Sequence, residues 1–380
     1  MAQGIRLQLS TVAGSGLLLT LLLSACAAVQ PRRDDPAPCA TGSACGQSII
    51  EHGEGFRLGY IQFGDDGRYA DPAQLRHVLA DLESAAADGI ILVAFTHGWK
   101  EDAGAGRWSV TGFKTLLGVI AARERDLASA QARAPRQVAG VFLGWPGRVA
   151  TPPGLAGLTW FDREDAAERV ALGDYGDALL QLKTLRDATT AGLPGNQLIL
   201  IGHSLGSAML YRRLVQAPLR KPGAVREPVA DLVLLLSPAI PVADVAALDR
   251  LAQADASALP PILAITSESD ATLRLAFPLG QWLENPRGND AAERQAMGLQ
   301  ASLITHRLDW QGARPALSAT GTRTANPALW QIAASNELMQ GHKDIANPRL
   351  LSFMAEVMAL QLDNRYSRAA LAGAFPAVTP

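Results

Sequence analysis

The amino-acid sequence predicts an α/β fold, a mostly parallel and doubly wound sheet with helices on both faces. Short runs rich in Val, Ile and Leu alternate along the chain with longer stretches of helical periodicity. Continuous apolar runs of this length suit strands that are buried on both faces, and their alternation with helices is typical of a parallel sheet. Hydrophobic residues make up 48% of the 380 residues and charged residues 18%, which is the composition of a globular protein.

The predicted elements fill the chain from residue 56 onward. Strands are predicted at Phe56 to Phe63, Ile90 to Phe95, Val138 to Leu143, Gln197 to Ile201, Ala230 to Leu236, Pro261 to Thr266 and Leu329 to Ala333. Helices are predicted at Pro72 to Ala87, Phe113 to Ala130, Ala167 to Thr189, Ala208 to Gln216 and Val242 to Ala256. A sheet of this kind binds its ligands at the carboxyl ends of its strands, so a functional site is expected at that edge.

Charge, repeats and residue spacing argue against several classes of protein. The chain carries 34 Lys and Arg against 36 Asp and Glu without a sustained basic run, so no nucleic-acid partner is predicted. No repeat of 20–50 residues is visible, which argues against a solenoid or a propeller. Neither His52 and His77 nor Cys39 and Cys45 have further ligands at metal-binding spacing, so no metal and no cofactor is predicted.

At the N-terminus, Arg6 supplies a positive charge, Gly16 to Leu23 supply an apolar core, and Leu23 to Cys26 read Leu-Ser-Ala-Cys. Through these residues, segment 1–25 resembles a bacterial lipoprotein signal peptide. The resemblance implies that the thiol of Cys26 is acylated and that the chain is cut before it, which would anchor the protein to a membrane of the bacterial cell envelope. Ala27 stands where Asp would favour the inner membrane, so the resemblance implies an outer-membrane anchor facing the periplasm.

The alternative is an uncleaved membrane helix, although polar and small residues interrupt the run of about 18–20 apolar residues that spanning requires. Residues 26–49 are rich in Ala, Pro, Gly and charge and are predicted to be a flexible tether before a domain at 50–380. Cys39 and Cys45 are candidates for a disulfide in an oxidising periplasm, and two free thiols are the alternative.

A nucleophile turn is predicted where a strand meets a helix. Gly202-His203-Ser204-Leu205-Gly206 follows the predicted strand that ends at Ile201. The pattern G-x-S-x-G is weak evidence for a nucleophile turn by itself. Its position between a buried strand and a helix is the context in which such a turn occurs, and this strengthens the prediction. The two glycines let neighbouring backbone approach closely, and the turn exposes the serine hydroxyl above the sheet edge.

From these residues the chain, over roughly Phe56 to Leu360, resembles an α/β-hydrolase with a lipase- or esterase-type turn. After the strand that ends at Phe95 come His97-Gly98-Trp99-Lys100. In this family a His-Gly at that place opens the oxyanion-hole loop, so the resemblance implies that the amides of Trp99 and Leu205 are the oxyanion donors. The side chain of His97 is expected to have a structural role.

The same resemblance implies a nucleophile, an acid and a base in the chain order Ser, Asp or Glu, His. Asp270 is the predicted acid, since it follows the strand Pro261 to Thr266 in a family-like S-x-S-D, and Glu268 is the alternative. His342 is the predicted base, because it stands in a family-like G-H-x-D-I. His306 lies inside a strand-like run and is expected to be a packing residue.

Two insertions, at about 144–165 and 271–327, interrupt the pattern at the active edge. Loops this long are usually functional, and a lid over the site is one interpretation. Simple packing of the insertions onto the domain is equally compatible with their aromatic residues, which are Trp145, Trp160, Phe161, Phe277 and Trp282.

The leading prediction is a serine hydrolase that cleaves small-molecule or lipid carboxylic esters through Ser204, Asp270 and His342. An acyltransferase that uses the same three residues is one alternative. A lipoprotein that uses the hydrolase shell only for binding is another, although such a protein would have no need of all three side chains.

Overall fold

The computed structural model describes residues 28–40, 45–151, 156–188, 195–216, 228–245, 248, 260–284, 293–320 and 329–363. Residues 1–27, and with them Cys26, lie outside this set, as does most of the helix predicted at Val242 to Ala256. In the described part of the chain, no helix combines the length and the apolar character needed to cross a bilayer.

A central sheet of eleven strands organises the chain, and an additional two-stranded pairing joins β1 to β7. The strands are β1 (Ala28–Val29), β2 (Cys39–Ala40), β3 (Ile50–Gly53), β4 (Phe56–Gln62), β5 (Ile90–Thr96), β6 (Gln137–Gly144), β7 (Arg148–Val149), β8 (Gln197–His203), β9 (Leu232–Leu236), β10 (Ile262–Ser267), β11 (His306–Gln311), β12 (Arg314–Ala319) and β13 (Leu329–Ala334). The spatial order is β12-β11-β13-β10-β9-β8-β5-β6-β4-β3-β2.

The seven strands in the middle of the sheet, in the spatial order β13-β10-β9-β8-β5-β6-β4, pair in parallel, as predicted. Alternate residues of β5 show why its apolar run is continuous. Ile91, Val93 and Phe95 enter one hydrophobic core, while Ile90 and Leu92 enter the other. Both faces of the strand are therefore buried, which is the condition that a parallel sheet imposes.

Helices cover both faces. They are α1 (Pro72–Ala87), α2 (Trp108–Ala130), α3 (Trp160–Leu172), α4 (Tyr175–Asp187), α5 (Leu205–Tyr211), α6 (Phe277–Glu284) and α7 (Pro348–Asp363). Buried residues of α2 and α7 line one core, and those of α1, α3, α4 and α5 line the other. The sequence prediction of an α/β fold with a doubly wound sheet is confirmed.

The predicted helix Ala167 to Thr189 is instead two helices, because the chain breaks at Gly173. A side chain at Gly173 would lie 2.2 Å from the carbonyl oxygen of Gly67, so only glycine permits this approach of two backbone segments. The first helix also begins earlier than predicted, at Trp160. Helical periodicity continues across the break, and the sequence pattern alone therefore did not reveal it.

Within the segment predicted to be a flexible tether at 26–49, the described residues contact the domain through a buried arginine. The side chain of Arg33 is 0% exposed. Its guanidinium donates to Glu51 Oε1 at 2.9 Å and to the carbonyl oxygens of Ser48 at 2.9 Å and Ala103 at 3.0 Å. It also lies 3.3 Å from the ring centroid of Tyr60. A buried cation needs such partners, and they fix this segment to the domain.

The second insertion is partly an extension of the sheet. Within 271–327, β11 pairs in parallel with β13 and in antiparallel fashion with β12. Among the described residues of the insertion, the π-helical turn Thr272–Ala276 and α6 come directly after the end of β10 at the active edge. A lid over the whole insertion is therefore excluded for the residues that the structure describes.

The buried Arg33 leads to a prediction about stability. Replacing Arg33 by Ala removes its buried hydrogen bonds, while Glu51 keeps its ion pair with Lys114, so the free energy of unfolding should fall by about 2–3 kcal/mol. Arg32→Ala is the matched control, because the Arg32 side chain is 64% exposed and its ion pair with Asp71 is 3.6 Å long. Urea denaturation should show a change below about 1 kcal/mol for this control. Equal, small effects of both variants would show that residues 28–49 do not contribute to folding.

Candidate active site

Ser204 occupies the turn between β8 and α5 with backbone angles of φ 56° and ψ −120°. A side chain on Gly206 would lie 2.2 Å from the carbonyl oxygen of Thr96, and one on Gly202 would lie 2.6 Å from the Cα of Ser207. The two glycines therefore allow a packing that no other residue allows. The amide of Ser204 donates to the carbonyl oxygen of Leu236 at 3.0 Å, which holds the turn against β9.

A hydrogen-bonded chain connects three of the predicted residues. The hydroxyl of Ser204 lies 2.9 Å from Nε2 of His342, and Nδ1 of the same ring lies 2.8 Å from Oδ2 of Asp270. These partners fit the tautomer in which Nδ1 carries the proton and Nε2 accepts from the serine hydroxyl. Ser204, Asp270 and His342 come from the ends of three different strands, and the fold brings all three together.

Asp270 is completely buried and accepts further hydrogen bonds. Its Oδ2 accepts from the hydroxyl of Ser237 at 2.7 Å, and its Oδ1 accepts from the amide of Leu273 at 2.9 Å. Burial alone would raise the pKa of Asp270, but the hydrogen bond and charge of His342, together with these two donors, outweigh burial and lower the pKa. The carboxylate is therefore held in its charged form beside the imidazole.

Glu268, the alternative acid, points elsewhere and forms an ion pair with Arg307. His306, the alternative base, lies on β11 and stacks on Trp330 with 4.3 Å between ring centroids. Neither residue contacts Ser204 among the contacts of the described chain. Sequence order alone left both alternatives open, and the direction of each side chain separates them.

The loop after β5 brings backbone amides next to the serine. A side chain on Gly98 would lie 2.6 Å from the Cβ of Ser204, so this backbone passes directly beside the hydroxyl-bearing carbon. Trp99 follows in that loop, and Leu205 opens α5. Within the described residues, the amides of Trp99 and Leu205 donate to no backbone carbonyl outside the regular helices and strands. Both N–H groups thus remain available to a ligand.

His97 supports that loop from below. Its Nδ1 donates to the carbonyl oxygen of Gly98 at 2.9 Å, and its Nε2 accepts from the amide of Trp145 at 3.1 Å. The ring stacks on the indole of Trp145 with 5.6 Å between centroids. Burial lowers the pKa of His97 to about 4, so the ring is neutral at physiological pH. These contacts agree with the structural role expected for its side chain.

Sequence reasoning missed the role of the second residue of the pentapeptide. Nε2 of His203 donates to the backbone carbonyl of His342 at 2.8 Å. Burial, followed by the nearby charge of His342, lowers the pKa of His203 to about 3. The bond links the serine turn to the main chain that carries the second histidine. No sequence signal marks it, since the position is variable in the pattern G-x-S-x-G.

The aromatic residues of the insertions have different surroundings. Trp145 is fully buried beneath His97, and Phe277 is buried against Trp160 with 6.1 Å between ring centroids. Trp160 in turn packs edge-on against Trp99 at 5.2 Å. Trp282 is 45% exposed on α6. Most of these rings therefore pack the insertions onto the domain, as the simpler of the two interpretations requires.

Cys39 and Cys45 are joined by a disulfide, while Cys26 lies outside the described residues. No group of three or more His, Cys, Asp or Glu side chains with the arrangement of a metal site occurs in the described ranges.

Strand order and site geometry together define the fold. The turn with Ser204 follows β8 in the centre of the sheet, Asp270 follows β10, and His342 follows β13. This succession of Ser, Asp and His on a mostly parallel sheet is characteristic of the α/β-hydrolase fold. The fold class predicted from the sequence is therefore confirmed.

No protein-family model matches the chain, and no curated protein sequence matches it. Among solved structures, the S-formylglutathione hydrolase of Staphylococcus aureus, as the apoenzyme, is similar at 10% sequence identity and a TM-score of 0.32. The similarity covers 72% of this chain and 82% of that one. The chain's own strand order and site geometry carry the assignment of the fold.

The neutral, buried His97 leads to a prediction about pH. Its folded-state pKa of about 4 lies below the unfolded value near 6.5, so its contribution to stability is complete above that unfolded value and is lost as the pH falls toward 4. Between pH 7 and 5 this loss should be about 1–2 kcal/mol. Urea unfolding at both values should show a smaller loss for His97→Gln than for the unaltered protein. An identical loss in both proteins would contradict the buried neutral state.

Proposed function

We propose that this protein is a serine hydrolase that cleaves carboxylic esters through an acyl-enzyme. The observation that carries the proposal is the unbroken hydrogen-bonded chain from Ser204 through His342 to Asp270. A serine hydroxyl is a poor nucleophile by itself and becomes effective when an adjacent base removes its proton. The distances of 2.9 and 2.8 Å support this role for the imidazole.

In the first half of the reaction, Nε2 of His342 takes the proton of the Ser204 hydroxyl while the oxygen attacks the ester carbonyl. The buried carboxylate of Asp270 keeps the ring in the required tautomer and stabilises the imidazolium that forms. The imidazolium then gives its proton to the leaving alcohol, and the acyl group remains on Ser204. In the second half, His342 activates a water molecule that releases the acyl group and restores the serine.

The backbone amides of Leu205 and Trp99 donate hydrogen bonds to the negatively charged oxygen of the tetrahedral intermediate. Leu205 lies at the N-terminus of α5, where helical N–H groups favour negative charge. The close approach of Gly98 to Ser204 supports the role of the neighbouring amide of Trp99. Removal of a single donor of this kind costs about 3–4 kcal/mol of transition-state stabilisation.

The proposed function is tested with the full-length protein in mild detergent. A fluorophosphonate probe should label the unaltered protein. The same protein should cleave para-nitrophenyl esters, which are offered in a series of increasing acyl length. Ser204→Ala should abolish labelling and lower kcat by at least about 10⁴-fold. Ser84→Ala is the matched control, because Ser84 is exposed on α1 and its hydroxyl bonds only to the carbonyl of Asp81.

Other outcomes distinguish the alternatives. An acyltransferase would be identified by three results together. The probe labels the protein, an added alcohol accelerates consumption of the ester, and a new ester is the product. Absence of labelling in a folded protein would contradict the serine hydrolase and leave a shell that only binds. Retention of turnover in Ser204→Ala would show that another group is the nucleophile.

We also propose that Cys26 carries the lipid anchor of a bacterial envelope protein, on the support of the Leu-Ser-Ala-Cys box and the apolar segment before it. Cells fed an alkynyl fatty acid should incorporate label into the protein, and Cys26→Ala should lose the label. Cys39→Ala is the control, because Cys39 is paired with Cys45. Equal labelling of both variants would contradict the anchor.

A further inference from the structure

The residue that follows β9 has an unusual backbone conformation. Ser237 has a φ of 42°, in the left-handed region that residues other than glycine rarely adopt. It is completely buried, and its amide donates to the carbonyl oxygen of Ile265 on the neighbouring strand β10 at 2.8 Å. Strained conformations of this kind persist only where the surrounding structure imposes them, and they are frequent at active sites. The conformation of Ser237 therefore points to a role in the site.

The hydroxyl of Ser237 contacts the buried acid directly. It donates to Oδ2 of Asp270 at 2.7 Å, and the same oxygen accepts from Nδ1 of His342 at 2.8 Å. The other oxygen, Oδ1, accepts from the amide of Leu273 at 2.9 Å. Together these three donors fix the plane of the carboxylate. Because two donors share Oδ2, the bond from Ser237 reduces the negative charge that the imidazole of His342 meets.

The residue before Ser237 holds the turn that carries the nucleophile. The carbonyl oxygen of Leu236 accepts from the amide of Ser204 at 3.0 Å and from the hydroxyl of Ser207 at 3.3 Å. The end of β9 consequently contacts the serine turn through one residue and Asp270 through the next. Ser204 and Asp270 are the two ends of the hydrogen-bonded chain that passes through His342. Two neighbouring residues of β9 and its end therefore fix these two ends relative to each other.

We propose that Ser237 is a positioning residue, which fixes the carboxylate of Asp270 and weakens the hold of that carboxylate on the imidazole of His342. This inference rests on the proposed function and deepens it, because it assigns a role to a residue outside the three that carry out the reaction. Ser237 acts through Asp270 and takes no part in the transfer of the proton or of the acyl group. Its bond keeps the imidazole neutral, and so able to accept the proton of Ser204, at a lower pH than the other contacts would allow.

Loss of the Ser237 hydroxyl should make the acid more basic. Burial raises the pKa of Asp270, whereas the hydrogen bond and charge of His342, and then the donors Leu273 and Ser237, lower it. Without the Ser237 donor, the carboxylate would attract a proton more strongly and would stabilise the imidazolium beside it. The ring of His203 lies 5.0 Å from that of His342 between centroids, but its pKa of about 3 keeps it neutral. The changed pH dependence should therefore come from the pair of Asp270 and His342.

Two substitutions separate the effect of the hydroxyl from that of the strained backbone. Ser237→Ala removes the hydroxyl and keeps a side chain at a φ of 42°, whereas Ser237→Gly removes the hydroxyl and relieves the strain. In the full-length protein, both should lower kcat for para-nitrophenyl esters about tenfold, with KM changed less than about twofold. Both should also move the acid limb of the kcat/KM profile to higher pH by about half a unit to one unit. Ser237→Gly should unfold at a higher urea concentration than Ser237→Ala.

Ser267→Ala is the matched control. Ser267 is also completely buried, and its hydroxyl donates to the carbonyl oxygen of Met339 at 2.7 Å instead of to the carboxylate of Asp270. This variant therefore loses a buried hydrogen bond of the same length beside the same site. We expect a loss of stability in urea similar to that of Ser237→Ala, while the acid limb stays where it is in the unaltered protein. An acid limb that moves equally in Ser267→Ala would reduce the role of Ser237 to packing and overturn the proposal.

A second readout does not depend on turnover. With ¹³C at Cε1 of the six histidines, NMR follows protonation of the Asp270–His342 pair at the His342 signal, which His342→Ala identifies. The midpoint of this titration should rise by about half a unit to one unit in both Ser237 variants. An unchanged midpoint in both, or a rise in Ser237→Ala that Ser237→Gly does not share, would overturn the proposal.

The two proposals can fail separately. If no ester is cleaved in a Ser204-dependent way, the proposed function fails. The NMR titration then still decides for or against the role of Ser237, because it requires only the folded protein.

Discussion

The site depends on one close contact between backbones, where the turn that carries Ser204 meets the end of β5. Gly206 packs so tightly against the carbonyl of Thr96 that no side chain fits between them. This contact sets the left-handed conformation of Ser204 and brings Gly98 beside it. The position of Ser204 beside the amides at α5 and after β5 therefore depends on the distance between these two segments.

Much of this arrangement could be predicted because it depends on short-range patterns. Apolar runs indicated the strands, and the glycine pattern after β8 indicated the serine turn. The order of the chain then limited the partners to a few residues. The choice between Asp270 and Glu268 depends on side-chain direction, since the first turns inward to Ser237 and the second turns outward to Arg307. A spacing pattern contains no information about that direction.

Other features could not be predicted, because they are contacts between residues that are far apart in the sequence. Arg33 bonds to Ala103, seventy positions away, and its surrounding composition of Pro, Asp and Arg is typical of an exposed linker. His203 reaches the carbonyl of His342 across 139 positions. In both cases a buried polar side chain donates to a backbone carbonyl that is distant in the sequence, and a single sequence provides no periodic signal for such a contact.

The pairing of β1 with β7 limits how far the site can lie from a membrane anchor at Cys26. An extended chain spans at most about 3.6 Å per residue, so Ala28, the first residue of β1, lies within roughly 7 Å of Cys26. A lipid on Cys26 would therefore hold β1 close to the membrane. Strand β7 follows Gly147, whose carbonyl receives the amide of Lys100. So short a connection between Cys26 and β1 would keep the entrance of the site close to the membrane surface. With the lipid that we propose on Cys26, the protein would then act on molecules at the surface of the membrane that holds the lipid.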